Sequence, residues 1–234
     1  TVADSMYEVS NLSEGYVSHS FNQFIKTDGT YIYRVDQSEA NYILSNSGYL
    51  SVNGITLTKY HKDNESKKVS RTVPYKFKYY SGNYTGVSIG GFELGKNTFL
   101  IAYNEDCELK GNRNVFVNVT DKLFNTNKTI QLTDYTSTDK TTCYTPQLVK
   151  INSNLFAVMW EEYNSSTAKT VCKVELIDGN GSIVSSSIES FLRLSDCQPI
   201  LCSDKTIKWY VTDGGAPTIY SIDPYDILAV HKHS

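Results

Sequence analysis

This 234-residue sequence has no long apolar run, no excess of positive charge and no C-x-x-C cysteine pair. The longest uninterrupted apolar run is Leu155–Trp160, far short of the ~20 residues that a membrane span needs. The formal net charge is −3, which argues against the phosphate backbone of a nucleic acid as a partner. No basic-then-apolar leader opens the chain at Thr1–Ser10, so we expect that any secretory signal has been removed. Membrane spans and nucleic-acid binding are therefore excluded by these patterns.

The cysteines are few and contain no C-x-x-C pair, which excludes a zinc knuckle and a thioredoxin-type redox motif. Two alternatives stay open for them: extracellular disulfides with one cysteine left over, or buried free thiols. The five are Cys107, Cys143, Cys172, Cys197 and Cys202.

Asn-x-Ser/Thr sequons and tyrosines are abundant. Most of the sequons lie in polar stretches that are typical of loops, where a glycan is accommodated, so we expect a secreted or surface-displayed glycoprotein. The alternative is that a chain rich in Asn, Ser and Thr forms sequons by chance. The 18 tyrosines suit strands and recognition surfaces, because Tyr buries a ring and keeps a polar tip. The sequons are at Asn11, Asn64, Asn83, Asn118, Asn127, Asn164 and Asn180.

The chain repeats a hairpin-like pattern four times. In each copy an apolar anchor is followed seven residues later by a second large apolar residue, with a polar turn between them, which indicates two antiparallel strands. Helical periodicity is nearly absent, and further strand-like stretches follow each hairpin. The four segments are Phe21–Val35, Ile89–Tyr103, Thr145–Met159 and Cys197–Val211, with anchors at Phe24, Phe92, Leu148 and Ile200.

This repetition resembles that of β-propeller proteins in general, over nearly the whole chain, although no diagnostic WD, kelch or Asp-box motif is present. The resemblance implies an all-β fold of about four four-stranded blades in a single domain. We place the repeats near 16–80, 81–136, 137–193 and 194–234. A β-sandwich is the alternative. Met6–Val9 and Ile227–His231 are strand-like and would close the ring.

A propeller would bring one set of polar residues to one rim of its channel, because the start of each first strand lies beside the end of the second. Starts of first strands supply His19, Asn22, Tyr144 and Asp196, while ends of second strands supply Asp36, Glu105, Glu161 and Asp213. Four carboxylates at one mouth would suit Ca²⁺. They would equally suit a sugar, with Tyr144 and Trp160 as stacking surfaces. The alternative is that these acids only mark strand-to-turn transitions.

Enzymatic motifs are weak. Gly86–Gly90 matches G-x-S-x-G, but a strand-like segment follows where a nucleophile elbow needs a helix. His19, beside Asp36 or Asp196, is a candidate general base. The alternative is that this single histidine is a surface or packing residue. Glu161 and Glu162 are adjacent, so on a strand they point to opposite faces and cannot flank one glycosidic bond.

Three function classes therefore stay in play. The first is an extracellular binding domain for a glycan or protein partner. The second is a self-associating structural subunit of a coat, filament or adhesin. The third is a polysaccharide hydrolase or lyase acting at the channel, which the sequence supports least because no nucleophile or metal cluster is evident. Calcium is the cofactor that the rim carboxylates suggest.

Overall fold

The computed structural model describes a chain built almost entirely from β-strands. It covers residues 23–38, 43–45, 48–50, 54–72, 86–108, 111–185, 187–213 and 215–227. The predicted strand-like stretches Met6–Val9 and Val73–Tyr80 lie outside the described residues. Among the residues that the structure describes, no helix is long and apolar enough to cross a membrane.

Four antiparallel sheets follow one another along the chain. Sheet 1 has the strand order β1 (Phe24–Thr27), β2 (Tyr31–Ser38), β5 (Gly54–His61) and β6 (Asn64–Thr72). Sheet 2 has the order β7 (Val87–Leu94), β8 (Thr98–Asp106), β9 (Arg113–Asp121) and β10 (Asn127–Gln131). A separate pair, β3 (Ile43–Ser45) and β4 (Gly48–Leu50), lies in the connection from β2 to β5.

The third and fourth sheets repeat this plan. Sheet 3 contains β12 (Gln147–Asn152), β13 (Leu155–Asn164), β14 (Lys169–Asp178) and β15 (Ile188–Ser190), with β11 (Thr141–Cys143) pairing on β13 beyond the start of β12. Sheet 4 contains β16 (Ile200–Leu201), β17 (Ile207–Asp213) and β18 (Ala216–Ile222). Each predicted hairpin is therefore the first two strands of one sheet.

The polar turns between anchors fold as expected of hairpin loops. Between β1 and β2, the Asp28 Oδ1 atom accepts the backbone N–H groups of Thr30 and Tyr31 at 3.0 and 2.8 Å. Gly29 takes a φ of 89° there, which a residue with a side chain rarely adopts. Asp178–Gly181, which resembles a calcium loop, is a turn of the same kind: Asp178 Oδ1 accepts the N–H groups of Asn180 and Ser182 at 2.8 Å.

The sheets pack face to face in chain order, and three apolar cores fill the gaps between them. Alternation along the second strands produces this arrangement. On β8, Phe99 and Ile101 enter the core between sheets 1 and 2, while Leu100 enters the core between sheets 2 and 3. β13 divides its residues in the same way between the second and third cores. Sheets 2 and 3 are therefore buried on both faces.

The first strands of the sheets lie side by side, β1 next to β7, β7 next to β12, and β12 next to β16. The closest approach is between β7 and β12. A Cβ atom on Gly90 would lie 1.5 Å from the backbone oxygen of Pro146, and one on Gly91 would lie 2.4 Å from the Cβ of Leu148. Two successive glycines thus let two inner strands pack backbone against backbone.

All five cysteines are free thiols. Cys143 lies in the core between sheets 2 and 3, and Cys172 in the core between sheets 3 and 4. Burial raises the pKa of each of these two thiols to about 12. Of the two alternatives left by the sequence, the structure has the free thiols.

Candidate functional site

The structure places the predicted rim positions along one edge of the stacked sheets. Glu105 pairs with Val87 at the start of β7. The backbone N–H of Tyr144 donates to the Glu161 carbonyl at 2.9 Å, just before β12 begins. Asp213 ends β17, although its side chain is not described. His19 and Asn22 lie outside the described residues.

The side chains of Asp36, Glu105 and Glu161 do not converge, because they occupy different faces of their strands. Asp36 follows Val35, which faces sheet 2, so the Asp36 carboxylate points to the opposite side of sheet 1. Glu105 continues the row of Tyr103 and faces sheet 1, whereas Glu161 continues the row of Met159 and faces sheet 4. Although these three acids recur in the repeats, they therefore do not form one ring of carboxylates.

Arginines neutralise several of these acids. Arg34 Nε lies 2.6 Å from Asp36, Arg193 Nε lies 2.7 Å from Glu161 Oε1, and Arg113 Nε lies 2.8 Å from Asp106 Oδ1. The Leu194 N–H also donates to Glu161 Oε1 at 2.8 Å. Burial nevertheless raises the pKa of Asp36 above its usual value, although Arg34 opposes the shift.

Asp36, Glu105 and Glu161, three of the four acids of the predicted calcium site, do not come together in the structure. Among the described residues, no group of three or more His, Cys, Asp or Glu side chains is placed to hold a metal ion. The physical reason is the divergence of Asp36, Glu105 and Glu161, together with the arginine that each of Asp36 and Glu161 already contacts.

The two aromatic residues expected to stack on a ligand differ in exposure to solvent. Tyr144 is 47% exposed, and its backbone is hydrogen-bonded to that of Glu161. Trp160 is 2% exposed, and it packs in the core between sheets 2 and 3. Its Nε1 donates to Glu162 Oε1 at 2.9 Å. The prediction for Trp160 is therefore wrong, because strand alternation turns its ring inwards.

Two glutamines that the sequence reasoning missed link the starts of the inner strands. Gln198 Nε2 donates to Gln147 Oε1 and, at 2.9 Å, to the carbonyl of Gly90. Gln147 Nε2 donates to the Ser195 carbonyl at 3.1 Å. Sheets 2, 3 and 4 are thus joined by amide hydrogen bonds at the edge where their inner strands begin. The sequence did contain a signal for these two residues, because each glutamine lies one or two residues before the apolar anchor of its repeat.

We call Tyr144, Gln147, Glu161, Arg193 and Gln198 the mouth cluster. Backbone and side-chain hydrogen bonds connect its members from Tyr144 through Glu161 and the 193–195 segment to the two glutamines. The exposed Asp196 lies in the segment that joins Ser195 to Gln198. The cluster contains one exposed aromatic residue, two amide side chains that are hydrogen-bonded to each other, and a neutralised ion pair, so its five side chains carry no net charge.

A separate cavity of about 450 Å³ opens at the same edge of sheet 2. Glu105, Asp106, Asn114 and Tyr135 are among its lining residues. Burial raises the pKa of Tyr135, and the neighbouring charge of Glu162, to which Tyr135 is hydrogen-bonded, adds to the shift. Glu105 therefore faces this cavity and lies apart from the mouth cluster.

The sequons differ in access. Asn64 and Asn180 are exposed, and Asn127 and Asn164 are half-buried. Asn118 is fully buried on β9, where its Nδ2 donates to Asn127 Oδ1 and the Lys128 carbonyl. A glycan on that nitrogen is incompatible with these contacts, so the predicted site at Asn118 is wrong for the folded protein. Asn11 and Asn83 lie outside the described residues.

Comparisons with known proteins agree at the level of the fold. No family model matches the sequence, and no curated protein matches it either. The structure is similar to the α-L-arabinanase of Penicillium chrysogenum, solved in complex with arabinobiose, with a TM-score of 0.53 at 12% identity. That match covers 87% of this chain and 62% of the arabinanase, so this chain spans less than two thirds of its neighbour's length.

The endo-arabinase of Bacteroides thetaiotaomicron is also found, with a TM-score of 0.46 at 12% identity over 90% of this chain and 78% of that one. Arabinanases are five-bladed β-propellers. The likeness to the Penicillium enzyme therefore supports the expected all-β, propeller-like architecture. A count of four blades and a closed ring stay predictions.

Proposed function

We propose that this protein binds an uncharged glycan at the mouth cluster of a β-propeller. The observation that carries the proposal is the exposed Tyr144, whose backbone N–H donates to the carbonyl of Glu161, the residue that pairs with Arg193 at one end of the stacked sheets. An exposed aromatic ring offers the apolar face of a sugar a stacking surface. The amide of the half-buried Gln198 belongs to the same cluster, whereas Gln147 is buried and both of its amide atoms are hydrogen-bonded within the protein.

The charge of the mouth supports an uncharged ligand. Arg193 neutralises Glu161, and Gln147 and Gln198 supply amides at positions where a carboxylate would bring negative charge. The similar Penicillium enzyme was solved with arabinobiose, an uncharged disaccharide, which makes arabinan the first polysaccharide to test.

Hydrolysis of a polysaccharide is the second candidate function, and the arabinanase-like fold favours it. Glycoside hydrolysis uses two carboxyl groups on either side of the scissile bond. In the described part of the mouth, Glu161 already accepts hydrogen bonds from Arg193 and Leu194. Asp196 is the other acid nearby and is exposed. Binding therefore fits the mouth better, while Glu161 and Asp196 are the pair to test for hydrolysis.

We extend the proposal to the domain organisation and the location of the protein. The stacked sheets are proposed to be the blades of a single domain over residues 1–234, which is secreted or displayed at a cell surface. The exposed Asn64 and Asn180 sequons support this setting. Self-association as a coat or adhesin subunit is the alternative, and the oligomeric state separates it from a monomeric binding domain.

Affinity electrophoresis and calorimetry with linear arabinan, arabinobiose and a panel of neutral and acidic polysaccharides test the proposal. We expect a neutral polysaccharide to bind, and Tyr144→Ala to weaken its binding by about tenfold, the loss of one stacking contact. Tyr210→Ala is the matched control, since Tyr210 is 49% exposed on sheet 4, and it should bind as the wild type does.

Release of reducing ends from the same polysaccharides separates the two candidates. A binding protein releases none, whereas a hydrolase would release them and lose turnover in Glu161→Gln or Asp196→Asn. Equal loss of binding in Tyr144→Ala and Tyr210→Ala, or no binding to any glycan of the panel, would contradict the proposed site.

A further inference from the structure

The cavity at the edge of sheet 2 has a buried floor and an open rim. Its volume of about 450 Å³ lies within the range of small-molecule sites. We call its buried lining residues Glu105, Asp106 and Phe116 the floor, and its exposed lining residues Glu108 and Asp134 the rim. None of these residues belongs to the mouth cluster, so the cavity is a second concave site with a lining of its own.

The charge of the lining favours a cationic ligand. The lining residues that the structure describes carry four carboxyl groups, two on the floor and two on the rim, and include no lysine, arginine or histidine. Arg113, which is not among them, lies 2.8 Å from Asp106 and offsets one of the four charges. A cleft lined by one sign of charge raises the local concentration of ions of the opposite sign.

The other lining groups fit an organic cation better than a metal ion. Calcium takes about six to eight oxygen atoms at ~2.3–2.6 Å, and in the described part of the chain no three acidic, histidine or cysteine side chains are placed to hold one ion. Ammonium and guanidinium groups accept the face of an aromatic ring as a neighbour. The cavity offers Phe116, stacked on Tyr103 with 5.5 Å between the ring centres, and the half-buried Tyr135.

Hydrogen bonds hold the loop that forms one wall of the cavity. Asn114 Oδ1 accepts the backbone N–H of Tyr135 at 2.6 Å, and Asn114 Nδ2 donates to the Tyr135 carbonyl at 2.7 Å. Gln131 Nε2 donates to Asp134 Oδ1 at 2.8 Å. The wall is therefore formed before a ligand arrives, which lowers the entropic cost of binding.

We propose that this cavity binds a small organic cation, an alkylammonium or guanidinium compound, with its charge beside the carboxylates and its apolar part against Phe116. A lysine side chain of a partner protein has the same head group. It would fill only part of a cavity of about 450 Å³, so a free small molecule fits better.

Calorimetry on the full chain tests the requirement for charge. The probes are choline, its uncharged isostere 3,3-dimethyl-1-butanol, agmatine as the guanidinium compound, and a tripeptide Gly-Lys-Gly with blocked ends. We expect choline and agmatine to bind, and the isostere to bind at least about tenfold more weakly than choline.

Variants of the rim test the position of the site. Glu108→Gln combined with Asp134→Asn removes two rim charges and keeps the oxygen that accepts from Gln131, so cation binding should weaken about tenfold. Asp63→Asn is the matched control, since Asp63 is exposed in the turn between β5 and β6, and it should bind as the wild type does. Tyr144→Ala should also leave cation binding unchanged.

Cys107 reports on occupancy of the cavity, because it is one of the lining residues. Cys202, directly after β16, is a half-buried free thiol like Cys107 and is the internal control. At a cation concentration about ten times Kd, alkylation of Cys107 by iodoacetamide should slow about tenfold, as followed by mass spectrometry of the peptides. Alkylation of Cys202 should not change.

Four results would overturn the proposal: no binding of choline or agmatine, binding of the isostere as tight as that of choline, unchanged alkylation of Cys107 in the presence of a bound cation, or binding of the tripeptide alone, which would assign the cavity to a partner protein. The rim double variant should bind a glycan as the wild type does. Failure of the cation site is therefore distinguishable from failure of the mouth cluster.

Discussion

Glu175 is a buried carboxyl group whose contribution to the free energy of unfolding depends on pH. It lies on β14 opposite Val158, 7% exposed, and within the described residues its Oε1 has no hydrogen-bond partner. Burial raises its pKa to about 7. The unfolded chain has an ordinary glutamate pKa of ~4.3, so between these values the folded protein keeps a proton that the unfolded chain releases.

The free energy of unfolding should therefore fall as pH rises from about 4.3 to 7 and then level off, by at most on the order of 3 kcal/mol from this group. Glu175→Gln keeps the shape and removes the ionisation. It should match the wild type near pH 4 and be more stable by ~1–3 kcal/mol at pH 8. Urea unfolding at both pH values measures this, with Glu108→Gln, exposed, as control. Equal changes in the free energy of unfolding for Glu175→Gln and Glu108→Gln at pH 8 would contradict this prediction.

At this scale the sequence predicted positions better than orientations. Tyr144 and Glu161 could be placed at one edge from the repeat alignment, since backbone pairing follows the anchors. Trp160 could not, because one step along a strand turns a side chain from solvent to core. The divergence of Asp36 from Glu161 has the same origin, and it depends on which face of each sheet meets its neighbour. Gln147 and Gln198 acquire their role only when three inner strands come together.

The elements themselves were largely predictable, because apolar anchors separated by polar turns determine a hairpin locally. β6 was missed, since its sequence NESKKVSRT is polar and an outer strand needs only one partner to pair with. The close approach of β7 to β12 was not predictable either. Gly90 and Gly91 look like a flexible pair in the sequence, whereas their role is to admit another backbone.

Gly90→Ala tests that contact between elements. Its Cβ would lie 1.5 Å from the Pro146 oxygen, so β7 has to move away from β12, and the Gln198 bond to the Gly90 carbonyl is strained with it. Overpacking of this kind costs ~1–3 kcal/mol or more. We expect a loss of at least ~2 kcal/mol in urea unfolding. Gly29→Ala has open space but a φ of 89° and should lose only ~1 kcal/mol. An equal or smaller loss at Gly90 would contradict the backbone contact.

Within the described residues, the molecule is a row of sheets that share cores with their neighbours. Sheet 3 contributes to two cores, whereas sheet 4 contributes to one and leaves Ile219 and Tyr210 exposed on its far face. In such an array stability is approximately a sum of nearest-neighbour terms. Sheets 1 and 4 both contribute to one core, and sheet 4, which has three described strands against four in sheet 1, is the end from which we expect unfolding to start.

The two tryptophans of the chain report on this directly, because Trp160 lies between sheets 2 and 3 and Trp209 between sheets 3 and 4. In Trp160→Phe, the fluorescence of Trp209 should change at a urea concentration about 0.5 M below the circular-dichroism midpoint of the same variant. In Trp209→Phe, the fluorescence of Trp160 should coincide with the circular-dichroism midpoint. Comparison within each variant removes the cost of the substitution itself. Coincident midpoints in both variants would contradict unfolding from sheet 4 and would instead favour a ring in which every sheet has two neighbours.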